Sequence, residues 1–148
     1  MHSKLRSTQR NSFLFFIAGF FMILAACTPT ATPVVITGTE RDSVLAYSEQ
    51  STDNLLAGLN NNDYATFSRD FDATMLKSID ATGFTNLYNQ VMSSYGKYIS
   101  RSVEAVQTYE GYIRLVYQGD FEKNDSVIIL VVFEPTGDHK IAGLFFTQ

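Results

Sequence analysis

Two carboxylates flank a phenylalanine at Asp70-Phe71-Asp72, and paired carboxylates held in different environments can divide the roles of general acid and general base. The chain also carries eight tyrosines. Of these, Tyr47, Tyr64, Tyr88 and Tyr117 are candidates to line a pocket, with Tyr95 and Tyr112 as further phenols. A carboxylate beside a phenol would give isomerase-type chemistry, the first moving a proton and the second stabilising an oxyanion. The spacing favours a plainer role. Asp72 stands where a cap for the next helical turn belongs, and tyrosines on helix stripes or strand faces mostly contribute ring area with a wet hydroxyl. His139 falls in the turn Gly137-Asp138-His139-Lys140, and the only other histidine is His2. One histidine in the folded part builds neither a zinc site nor a catalytic triad, and no phosphate loop, metal loop or nucleotide fingerprint occurs. No catalytic residue, metal ligand or cofactor is therefore assigned.

Cys27 is the chain's only cysteine and ends an apolar run, residues 13–26, preceded by Lys4, Arg6 and Arg10 with no acidic residue. A run of this length is too short for a bilayer span of about 20 residues. A basic start, a short apolar region and small residues before a cut describe a secretory signal instead. The end of the run, Leu24-Ala25-Ala26-Cys27, resembles the lipobox of bacterial lipoproteins. That resemblance implies cleavage before Cys27, a diacylglyceryl group on its thiol and stable attachment to a membrane, because more than one acyl chain is present. Thr28 rather than an aspartate follows the cysteine, which in an organism with two membranes implies the outer one. A lone cysteine leaves nothing for an intramolecular disulfide.

Counted from Cys27, the mature chain has 122 residues, with eight basic and fifteen acidic side chains and a net charge of about −7. One small domain is all this length supports. The acidic balance argues against nucleic acid and anionic lipid surfaces, which reward clustered lysine and arginine. Residues 27–39, rich in threonine with Pro29 and Pro33 and without charge, read as an extended tether.

The elements that must position these side chains follow from hydrophobic period. Over residues 40–61, Val44, Tyr47, Leu55, Leu56 and Leu59 recur at helical spacing, with Thr39 or Asp42 as cap. Asp63 can cap a short helix over residues 64–69, and Phe84, Leu87, Val91 and Tyr95 form the stripe of a helix over residues 82–95. After Gly96 the period becomes two. Ile99, Val103 and Ala105 alternate with polar residues, as do Ile113, Leu115 and Tyr117, whereas Val127 to Phe133 is apolar throughout. Residues 140–147 give a last strand, and short turns follow Tyr109, Phe121 and Glu134. The expected fold is α+β: N-terminal helices packed on a curved four-stranded antiparallel sheet.

Asn62-Asp63-Tyr64, Phe71-Asp72, Met75-Leu76 and the ending Lys140-Ile141-Ala142-Gly143-Leu144-Phe145-Phe146 resemble the bacterial domain-of-unknown-function 3887 family, over about residues 44–146. That family is similar to the nuclear-transport-factor-2-like, or cystatin-like, superfamily, which implies a sheet wrapped around helices as a cone. The resemblance transfers a fold and a location but no catalytic residues. The chain has no Gly-x-Ser-x-Gly motif for the hydrolase domain found beside some members.

The expectation is thus a lipid-anchored envelope protein, held on the extracytoplasmic side through Cys27, whose small domain binds without catalysis. Either a small apolar molecule in the cone or a protein on the outer sheet face would be the partner. If helices cover one face of the sheet, either Ile128, Leu130 and Val132 or the alternate set Val127, Ile129, Val131 and Phe133 needs cover on the other. The first set is the candidate interface, for a homodimer or an envelope partner. The alternatives are a small pocket enzyme of isomerase or dehydratase type and an accessory subunit of an envelope complex.

Overall fold

The computed structural model describes residues 31–148. Leu24, Ala25, Ala26 and Cys27 lie outside the described residues. Four helices, α1 (Gly38–Asn60), α2 (Tyr64–Ser68), α3 (Ala73–Ser78) and α4 (Ala81–Ser94), precede four long strands, β2 (Tyr98–Tyr109), β3 (Tyr112–Phe121), β4 (Asn124–Phe133) and β5 (Ile141–Thr147). A short strand, β1 (Val34–Val35), comes before them all, and the antiparallel sheet runs β1-β2-β3-β4-β5. The protein is α+β, with five strands rather than four. No described helix is long and apolar enough to cross a membrane.

The fifth strand comes from the expected tether. Val34 and Val35 pair with Thr108 and Gln107 of β2, Ile36 N–H donates to Val106 O at 2.8 Å, and the Ile36 side chain is buried. Proline and threonine dominate the start of that segment, but Val-Val-Ile is β-branched and fits a pleated edge. The folded part therefore begins before residue 40.

Local chemistry sets the helix boundaries. Asp63, Asp72 and Asp80 each sit at an N-cap and accept from backbone N–H groups of Ala65 and Thr66, Met75, and Gly83 respectively. Asp72 thus opens α3, a separate helix between the two expected ones. At the other end of α4, Lys123 Nζ donates to the carbonyls of Met92 at 2.8 Å and Ser93 at 3.0 Å, a favourable place for a cation on the helix dipole. Gly58 marks the α1–α2 crossing, where an added Cβ would overlap the backbone nitrogen of Phe67. Phe67 in turn packs against Phe71 and Phe84, with ring centroids 5.0 and 4.7 Å apart.

The helices cover one face of the sheet. That face buries Val106, Ile113, Leu115, Tyr117, Phe121, Val127, Ile129, Val131, Phe133 and Ile141. Val127, Ile129, Val131 and Phe133 are thus the inward set, and Ile128, Leu130 and Val132 face outward, half-buried. In β2 the expected alternation of Ile99, Val103 and Ala105 is broken by irregularities between Tyr98 and Ser100 and between Val103 and Ala105. Each shifts the phase by one residue. Tyr98, Arg101, Val103 and Val106 consequently share the inward face with their partners on β3, and Ile99 stands 64% exposed.

Candidate functional site

The outer face carries a groove of about 350 Å³ whose lining includes Tyr109, Tyr112, Arg114, Leu130, Val132 and Phe145. Its aromatic end is made by a two-residue turn. Glu110 and Gly111 both adopt positive φ, 51° and 83°, the geometry of the tight hairpins that match strand twist, and this sets Tyr109 directly opposite Tyr112. Arg114 lies opposite Gln107, donates from Nε to Gln107 Oε1 at 3.0 Å, and lays its guanidinium over the Tyr109 ring at 4.8 Å. Leu130, Val132, Ala142 and Gly143 form the floor. A Cβ at Gly143 would come within 3.3 Å of both Val132 and Phe145, so glycine keeps the floor open there. Tyr112 and Phe145 are 44% and 58% exposed. An apolar floor, aromatic walls and one cation at the rim suit binding. Glu110 is the one carboxylate on the lining, and no serine, cysteine or histidine stands there.

A second cluster joins α1 to the inward face of the sheet. Arg101, only 8% exposed in its side chain, donates to Glu49 Oε2 and Asp53 Oδ1, each at 2.7 Å. Its guanidinium lies 5.0 Å from the centroid of the Tyr117 ring. Tyr117 donates its hydroxyl to Glu49 Oε1 at 2.8 Å and receives the Thr52 hydroxyl at 3.3 Å. Burial pushes the Tyr117 phenol well above its ordinary range; the Thr52 hydrogen bond opposes this and the Glu49 carboxylate adds to it. Burial works against charge on Arg101, but hydrogen bonds to Asp53 and Tyr98 and the field of Glu49 outweigh it and hold the guanidinium above its usual value. Both groups are fixed in one protonation state at neutral pH. This is a clasp, not a proton relay.

The four candidate pocket tyrosines do not converge on one cavity. Tyr117 belongs to the clasp and is fully buried. Tyr47 stacks on His139 with ring centroids 4.0 Å apart and meets Phe133 edge-on at 6.1 Å, and burial raises its phenol. Tyr64 donates its hydroxyl to Ile79 O at 2.8 Å and packs on Phe84, which Tyr88 approaches at 6.4 Å. Asp70 accepts from Asn54 Nδ2 at 2.8 Å while Asp72 caps α3, so the two carboxylates serve separate partners. Among the described residues no three histidine, cysteine or acidic side chains cluster as metal ligands. Of the candidate interface, Leu130 and Val132 line the groove and Ile128 lies beside it on the same face.

Sequence reasoning passed over Tyr109, Arg114, Gly143 and Phe145, which complete the groove, and Arg101, Glu49 and Asp53, which make the clasp. The alternation of Tyr112 and Arg114 with Ile113 and Leu115 was the available signal for the first group. For Arg101 there was none, because the irregularities in β2 turn it inward. Comparison with known proteins returns no match: no family model, no curated protein and no solved structure matches this chain.

Proposed function

We propose that this chain is a bacterial envelope lipoprotein, held by lipid on Cys27, whose folded domain is a binding module working through the outer face of its sheet. The observation that carries the binding reading is the groove: an apolar floor on Leu130, Val132 and Gly143, between Tyr112 and Phe145, with no other described element over it. Exposed aromatic and aliphatic groups gathered on one face, with polar neighbours around them, are typical of an interaction site. The helices-then-sheet order agrees with the cone of the nuclear-transport-factor-2-like superfamily, and membership of the domain-of-unknown-function 3887 family is part of this proposal. The pocket-enzyme alternative has less support, because the one phenol paired with a carboxylate, Tyr117, is closed off from solvent.

Two measurements test the proposal. Labelling cells with an alkyne-bearing fatty acid should mark the wild-type chain and not Cys27→Ser; an unlabelled wild type ends the lipoprotein reading. Native mass spectrometry of the full chain, extracted from its host in mild detergent, should then retain a bound molecule or protein. Tyr112→Ser with Phe145→Ser should lose it, and retention by that variant overturns the assignment of the groove.

A further inference from the structure

The proposed outer-face site borders the open edge of the sheet, and the geometry points to strand addition there: we infer that β5 docks an extended, uncharged segment of a partner polypeptide. This rests on the outer-face reading and names what the site accepts.

β5 is the last strand of the sheet. At its start the free edge is already in use: Ile141 N–H donates to Asp70 O at 2.8 Å, Asp72 N–H donates to Ile141 O at 2.9 Å, and Phe71 bridges Ile141 in parallel. After Asp72 the chain enters α3, which stays beside β5 but gives it no further backbone hydrogen bond. Among the described residues, no backbone group outside the sheet reaches Ala142 to Thr147. Proteins ordinarily blunt such an edge with lysine, proline or a bulge. Here Ile141 to Gln148 contains neither charge nor proline, and the irregularity at Ala142 lies at the end already occupied.

What fits a row of unpaired N–H and C=O groups is another strand, and its side chains alternate between faces. Residues opposite Gly143 and Phe145 would point outward, over the groove floor of Leu130 and Val132. Residues opposite Leu144 and Phe146 would point inward, toward a second cleft of about 220 Å³ whose helical wall is Leu87, Gln90, Val91 and Tyr95. Phe145 borders both cavities. The edge therefore offers one apolar recess on each face, matched to two successive side chains of an added strand. Charge separates the candidate occupants. Residues 31–148 carry a net charge of about −7, so a second whole copy meets like-charge repulsion while an uncharged segment does not.

The test uses the full chain in nanodiscs and hydrogen exchange read by mass spectrometry. The probes are capped threonine-rich nonapeptides with two successive valine, leucine or phenylalanine residues at the centre, one for each face. Each is also made with N-methyl groups on its odd or on its even backbone nitrogens. A binding peptide should slow exchange in Ala142 to Thr147 at least ~10-fold, one methylated series should abolish this and the other retain it, and Phe145→Lys should remove it while Val127 to Val131 stay protected. Equal protection by both methylated series overturns strand addition and leaves the outer groove standing. Concentration-dependent protection of β5 in the free chain overturns the partner segment as occupant, since a second copy would then hold the edge. No protection by any peptide in the set, with the groove-dependent partner of the native mass experiment still retained, overturns this inference alone.

Discussion

Arg101 and Tyr117 share one carboxylate: the guanidinium takes Glu49 Oε2 at 2.7 Å and the phenol takes Oε1 at 2.8 Å, with the cation 5.0 Å from the ring centroid. Removing one member of a fully buried charge network typically costs about 3 to 5 kcal/mol. Glu49 and Asp53 are 40% and 60% exposed, so solvent recovers part of that. Arg101→Ala is expected to cost about 2 kcal/mol in urea unfolding. Arg101→Lys should restore little, because one ammonium cannot reach two carboxylates and a ring as a planar fork does.

Alkaline pH should weaken the fold through Tyr117. Its phenol is raised in the folded state by burial, so its neutral form is favoured there. The corresponding stability is fully present below the ordinary phenol value and is lost as pH rises above it. Stability measured from pH 8 to 11 should stay level up to about pH 10 and fall above it, and Tyr117→Phe should fall less steeply while starting about 1 kcal/mol lower for its lost hydrogen bond. Absorbance titration should show a phenol that ionises only with unfolding. Complete, reversible titration of all eight tyrosines in the folded state would contradict this.

The N-terminal boundary can be tested by truncation. A chain starting at residue 32 keeps β1 and Ile36, whereas one starting at residue 39 loses both. Ile36 is 5% exposed, and deleting a buried isoleucine side chain costs about 2 kcal/mol or more. The shorter chain should melt lower by several degrees, and equal melting would make β1 dispensable.

Gly58→Ala should be among the most damaging small substitutions. Helix propensity alone favours alanine by about 1 kcal/mol, yet the added Cβ would overlap the Phe67 backbone at the α1–α2 crossing. A net loss of about 2 kcal/mol is expected, since relief requires moving one helix off the other. Thermal unfolding decides the sign.

The sequence was most informative where period and caps agree. Asp63 as an N-cap, the stripe of Phe84 and Val91, and the alternation of Ile113, Leu115 and Tyr117 all follow from residue type and spacing, and all appear in the structure. Continuous apolarity in β4 fixed a buried strand but not its facing, because either alternate set could point inward; only packing against the helices selects Val127, Ile129, Val131 and Phe133. The middle of α1 was faint for another reason. Its inward positions there are Ser48 and Thr52, small and polar. The groove was half visible: Leu130 and Val132 could be singled out, but Tyr109 and Phe145 reach it through strand register, which no local pattern encodes.

The Tyr117–Glu49 hydrogen bond also has an optical consequence. The chain contains no tryptophan, so its intrinsic emission comes from tyrosine. A phenol becomes far more acidic when excited, and one already donating to a carboxylate at 2.8 Å loses its light by passing the proton across. Opening the clasp frees Tyr117 to fluoresce, and the parting of α1 from β3 becomes visible as brightening without any attached dye.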